Sequence, residues 1–124
     1  MNFPENLNYT KSHEWVKKLD DGTVEIGLSD YAQKELGDIV FVNLPHVGDS
    51  ISAGATFADV ESVKAVADIY SPISGTVKAV NEVLMDQPEL LNKEPYNAWL
   101  IRAEGDILEG ELLPVKEYRA LISL

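Results

Sequence analysis

Asp59-Val60-Glu61-Ser62-Val63-Lys64-Ala65-Val66-Ala67-Asp68 is the stretch on which the fold turns. Two strand-like arms flank one dipeptide. A two-residue turn at Val63-Lys64 would pair Asp59 with Asp68 and Val60 with Ala67, leaving Lys64 at a hairpin tip within reach of an external enzyme. Val-Lys is not the Asn-Gly or Gly-containing pair that tight hairpins favour, so turn chemistry alone does not place this bend. Taken alone, a single lysine reads as a solvated surface charge.

Outward from the hairpin, glycines and prolines recur at short intervals, which favours short strands over long helices. Residues 56–62 and 65–70 form the two arms, and Ser71-Pro72 closes the second. Upstream lie a β-rich run at 39–43 ended by Leu44-Pro45, a turn at Val47-Gly48-Asp49, and a short extended piece, Ser50-Ile51. Before them, Asp20-Asp21-Gly22 makes a turn and 23–28 alternates like a strand. Ser29 then caps a short helix over 30–36, with Asp30 in its first turn and Gly37 as its left-handed stop. The residues before these are an N-terminal lead.

Downstream, Gly75 opens a strand over 76–80, and 86–91 reads as a single helical turn. A strong strand is expected at 98–102, followed by a linker-like acidic stretch at 104–111. A C-terminal helix occupies 114–123, with Val115, Tyr118 and Leu121 on one face. One echo is visible: Gly37-x-Ile39-x-x-Val42-Asn43 and Gly75-x-Val77-x-x-Val80-Asn81 share spacing and residue types. Two such segments suit a pseudo-twofold that packs sheets face to face. The expected architecture is mainly β, two small antiparallel sheets with short peripheral helices and a terminal helix, in a single domain spanning 1–124.

The charge balance of 10 basic against 21 acidic residues, a net −11, repels nucleic acid and anionic membranes and suits partners with basic patches. Without cysteine there are no disulfides, thiolate metal sites or cysteine nucleophiles. His13 and His46 are far apart in sequence, so no metal site is expected. No run approaches membrane-spanning length, and Met1-Asn2-Phe3-Pro4-Glu5 lacks the marks of a signal or transit peptide. A cytoplasmic, bacterial protein is therefore expected. Nothing matches a nucleophile elbow, a phosphate loop or a metal-ligand cluster.

Several ordered motifs resemble those of glycine cleavage H proteins. Glu61-Ser62-Val63-Lys64-Ala65, followed by Ser71-Pro72-Ile73-Ser74-Gly75, looks like that family's lipoylation site and following strand. Tyr9-Thr10-Lys11-Ser12-His13-Glu14-Trp15 resembles its opening motif. The segments Asp30-Tyr31-Ala32-Gln33, Leu36-Gly37-Asp38-Ile39-Val40-Phe41-Val42, Leu44-Pro45-x-Val47-Gly48-Asp49 and Asn92-x-x-Pro95-Tyr96 also match. Ala98 departs from an expected glycine before Trp99. Biotinyl carriers place methionines beside their lysine, whereas Val63 and Ala65 stand here. Lipoyl domains of 2-oxoacid dehydrogenases are followed by long linkers and lack the Ser12-His13-Glu14-Trp15 segment.

The resemblance implies the barrel-sandwich hybrid, or hammerhead, of lipoyl and biotinyl carriers, with lipoate attached covalently to Lys64. It implies a non-enzymatic carrier in glycine catabolism and one-carbon metabolism. An aminomethyl group passes from glycine decarboxylase, which uses pyridoxal phosphate, to an aminomethyltransferase that uses tetrahydrofolate. Dihydrolipoamide dehydrogenase re-oxidises the carrier, and a lipoate ligase or lipoyl/octanoyl transferase modifies it. A monomer is expected, since one tip must visit several enzymes. Ser12, His13, Glu14, Glu61 and Asp68 are candidates for lining an arm cleft and shielding a cationic cargo. The alternatives are a lipoyl relay that supplies other complexes, and an unmodified β-sandwich interaction module.

Overall fold

The computed structural model describes residues 1–123. In chain order the elements are β1 (Asn8–Tyr9), β2 (Glu14–Lys18), β3 (Val24–Leu28), α1 (Asp30–Leu36), β4 (Ile39–Asn43), β5 (Ser50–Ile51) and β6 (Thr56–Ser62). There follow β7 (Val66–Tyr70), β8 (Ile73–Val80), α2 (Val83–Asp86), α3 (Leu90–Lys93), β9 (Ile101–Ile107), β10 (Leu113–Pro114) and α4 (Val115–Ile122). A seven-stranded sheet runs β10-β1-β2-β3-β9-β8-β5 and a three-stranded sheet runs β4-β6-β7. Every pairing is antiparallel.

Period-2 alternation turns Val42, Val60 and Ile69 of the small sheet toward Val24, Ile26 and Val77 of the large one, and these residues share one buried core. The echoed segments fall one in each sheet, as β4 and β8. Each breaks register at the same offset, between Ile39 and Phe41 in β4 and between Val77 and Ala79 in β8. The pseudo-twofold thus extends to a matched pair of bulges, devices that bend and twist a strand. A second cluster joins Phe3, Leu7, Tyr9, Trp15 and Tyr118. In it Tyr9 and Tyr118 stack at 4.6 Å, with Phe3 edge-on to both.

Several expectations need correction. The N-terminal lead contains β1 and β2, which pair with each other; their tight connection through a polar cluster reads as loop in sequence. Two helical turns, α2 and α3, replace the single one expected at 86–91. The last long strand is Ile101–Ile107 rather than 98–102, so half of the acidic linker-like stretch is strand, held by pairing of Ser74 with Asp106 and Ile73 with Ile107. In α4 Tyr118 is fully buried, but Leu121 is exposed, and Ile122 packs inward instead.

Candidate functional site

The hairpin forms in the expected register, with Asp59 opposite Asp68, Val60 opposite Ala67 and Glu61 opposite Val66. Among the described residues His13 is the one non-glycine with positive φ, so Val63 and Lys64 turn without the left-handed geometry of the favoured hairpin dipeptides. Ser62 supplies the substitute. Its hydroxyl oxygen accepts from the amides of Lys64 (3.3 Å) and Ala65 (3.0 Å), and its own amide donates to the Ala65 carbonyl at 2.8 Å. The Val63 amide donates to the Asp38 carbonyl (3.0 Å), which ties the tip to the start of β4.

Lys64 is exposed at this tip. Its Cε passes Gly37, at 3.8 Å from where a β-carbon there would stand. Gly37 ends α1 with φ 78°, its amide donating to the Gln33 carbonyl. Asn92 fixes this corner: its Oδ1 accepts from the Ile39 amide, and its Nδ2 donates to Gln33 Oε1 and the Gly37 carbonyl, each at 2.9 Å.

A groove of about 300 Å³ lies between α1 and the hairpin. Leu28, Ala32, Leu36, Val60 and Ile69 give it apolar walls, while Ser12, His13, Glu35 and Asp68 bring polar groups. A second cavity of about 220 Å³ lies beside it and is lined by Ser12, Glu14, Tyr70 and Leu108. Ser12 borders both.

Glu14 is no surface acid: it is 1% exposed. Its Oε1 accepts from the hydroxyls of Thr10 (2.5 Å) and Ser12 (2.6 Å), and its Oε2 from the Tyr70 amide (3.4 Å). Burial pushes its carboxyl above the usual range, against the opposing pull of these donors. Asp68 is exposed on β7, and Glu61 faces outward beside Val66, lining neither cavity. Of the five candidates, then, Ser12, His13 and Asp68 share the groove, Glu14 stands behind Ser12, and Glu61 lies apart.

Three further contributors were not singled out by sequence reasoning. Ser62 caps the tip, Asn92 braces it, and Tyr118 reaches His13 from α4, with its hydroxyl 2.9 Å from His13 Nδ1 and 2.7 Å from Ser29 Oγ. A serine three residues before the turn's end is the one cue to the first; the other two are long-range contacts. Among the described residues no group of His, Asp and Glu is arranged to hold a metal.

Two antiparallel sheets packed face to face, a lysine exposed at a hairpin tip and a groove beside it define a barrel-sandwich carrier of the lipoyl and biotinyl class. A profile described as "Glycine cleavage H-protein" matches residues 7–123. A probable glycine cleavage system H protein of Thermococcus kodakarensis is 53% identical over 94% of this chain and 87% of its own. The glycine cleavage system H protein of Geobacillus kaustophilus is 52% identical over 99% and 98%. The crystal structure of a glycine cleavage system H protein from Mycobacterium marinum superposes with a TM-score of 0.91 at 38% identity, covering 98% of this chain and 100% of that one. The chain belongs to the glycine cleavage H-protein family. Archaeal and bacterial relatives match almost equally, so a bacterial origin does not follow. No helix among the described residues is long and apolar enough to cross a membrane.

Proposed function

We propose that Lys64 bears a covalent lipoyl group and that the chain, acting as one monomeric carrier domain, shuttles the aminomethyl unit of glycine cleavage. The observation that carries this is Lys64 itself, exposed on a serine-capped tip with its side chain passing Gly37 at the end of α1, the helix that forms one wall of the groove. When bound, the lipoyl group supplies a disulfide that accepts a carbon unit and a dithiol that can be re-oxidised. The groove suits it: an apolar arm meets apolar walls, and a cationic cargo meets Glu35 and Asp68. Asp68 stands four residues from Lys64, roughly 13 Å along an extended strand, a span that an acylated lysine can fold back across.

The chain's residues then have distinct tasks. Leu28, Ala32, Leu36 and Ile69 exclude water from the arm. Ser12 donates its hydroxyl hydrogen to Glu14, which leaves the Ser12 oxygen as an acceptor backed by a buried carboxyl group. A single exposed contact of this kind contributes only about 0–1 kcal/mol, so shielding depends on the arm lying in the groove. Acylation removes the Lys64 cation and makes an already acidic surface more so, which suits docking to basic patches. The partners this reading requires are glycine decarboxylase with pyridoxal phosphate, aminomethyltransferase with tetrahydrofolate, dihydrolipoamide dehydrogenase, and a lipoate ligase or lipoyl/octanoyl transferase.

Reconstitution tests it. The lipoylated chain with glycine decarboxylase should exchange labelled bicarbonate into glycine, and Lys64→Arg should abolish exchange while the fold persists. A lipoylated wild-type chain that supports no exchange would leave the relay role instead.

A further inference from the structure

His13 occupies a costly place. It is a non-glycine residue at φ 74°, where a side chain strains the backbone. Its amide donates to the Thr10 carbonyl (3.1 Å) and its carbonyl accepts from the Ser29 amide (3.0 Å), so the turn is pinned on both sides. The ring is half-buried in the groove wall. Its Nδ1 meets the Tyr118 hydroxyl, and Nε2 has no protein partner among the described residues. No buried side-chain polar atom among those residues lacks a partner, so the unpartnered Nε2 is open to solvent, on a residue that lines the groove.

The protons in this chain of groups can be placed by counting donors. Ser29 is 0% exposed, and its oxygen already accepts from the Ala32 amide at 3.2 Å. Its hydroxyl hydrogen has one acceptor available, the Tyr118 oxygen. Tyr118, also fully buried, must then give its own hydrogen to His13 Nδ1. An Nδ1 that accepts is unprotonated, so the ring proton of a neutral imidazole sits on Nε2. Protonating Nδ1 would leave one hydroxyl hydrogen, that of Tyr118 or that of Ser29, without an acceptor in a dry site, a strongly penalised arrangement.

We propose that Ser29 and Tyr118 form a one-way hydrogen-bond relay that holds His13 neutral as the Nε2–H tautomer, presenting a donor in the groove to an acceptor atom of the Lys64-borne arm. This rests on the lipoyl reading of Lys64 and deepens it. Tyr118 is a positioning residue acting through His13. A neutral donor binds the arm without setting a second cation beside a cationic cargo. The charged or titratable groups around the ring are Glu35 and Tyr31 of α1, Glu14 of β2, Asp68 of β7 and Tyr118 of α4. Burial lowers the imidazole's proton affinity, and Glu35 opposes it.

Nitrogen-15 NMR of the histidine rings in the full chain tests the relay without any arm. The expected result is a neutral His13 with its proton on Nε2, titrating below an ordinary imidazole. Tyr118→Phe should bring it a mixed tautomer and a titration midpoint nearer the ordinary value, with the amide spectrum of β6 and β7 retained. A proton on Nδ1 in the wild type, or a Tyr118→Phe ring identical to it, overturns the proposal. In the lipoylated, cargo-bearing chain the Nε2 resonance should shift relative to the unmodified chain. Confirmed lipoylation of Lys64 with an unmoved Nε2 overturns the contact to the arm, while the carrier reading itself stands or falls on the mass of Lys64.

Discussion

At the scale of single residues, the site depends on where charge is tolerated. Glu14 is held by Thr10, Ser12 and Tyr70 in a place that favours its neutral form. A carboxyl whose affinity for protons is higher folded than unfolded stabilises the fold below the ordinary glutamate value. That contribution is lost as pH rises from there through the folded value. Thermal melts should therefore show stability falling over that window, and Glu14→Gln should flatten the fall. His13 has the opposite sign. Because the fold disfavours its protonated form, its contribution is present above the ordinary imidazole value and declines as pH drops from there through the lower folded value. Sequence gave no means of telling Glu14 from a surface acid. Its surroundings include Tyr70, whose amide reaches its carboxyl group, and Leu108, which lines the same cavity, both more than fifty positions away.

Among the elements, α1 and the two hairpin arms were legible because their signals are local, whereas the bend between the arms rested on the family resemblance of residues 61–65. The arms alternate with period two, and Ser29, Asp30 and Gly37 punctuate the helix as capping chemistry requires, with the Ser29 oxygen accepting from Ala32. The displaced β9 was not legible, because Ala98, Trp99 and Leu100 form an apolar run that is loop, with Ala98 and Leu100 buried, whereas Glu104 to Asp106 extend a strand through backbone pairing. The Val63-Lys64 turn was placed against its own turn propensity; Ser62 repairs the deficit. Ser62→Ala should speed hydrogen exchange of the Lys64 and Ala65 amides and cost about 1 kcal/mol. Normal protection in that variant would show the cap to be dispensable.

Gly75 and Gly105 face each other across β8 and β9, and a β-carbon on Gly75 would overlap the Glu104 carbonyl oxygen. Gly75→Ala should destabilise by about 3 kcal/mol in a denaturant titration, because backbone must move to admit it. Asn92→Ala, which strips three bonds from the corner beneath Lys64, should cost about 2 kcal/mol and loosen the start of β4.

For the whole molecule, two sheets clasp one core while the second aromatic cluster binds α4 to the N-terminal segment. The matched bulges of β4 and β8 show that the faint internal echo marked a real pseudo-symmetry, whereas the packing of α4 on His13 depends on residues about a hundred positions apart and leaves no local trace. The net charge of −11 belongs to this scale too. If acidic docking governs encounter, the apparent KM of glycine decarboxylase for the carrier should rise several-fold with salt while kcat stays constant. A salt-independent KM would assign docking to apolar contacts.

Peptide mass mapping of the chain after co-expression with a lipoate ligase bears most directly on the swinging-arm account. One lipoyl mass should appear, confined to the peptide containing Lys64 and absent from Lys64→Arg. Modification at another lysine, or an unchanged intact mass under conditions in which the ligase acylates a known carrier, would contradict it.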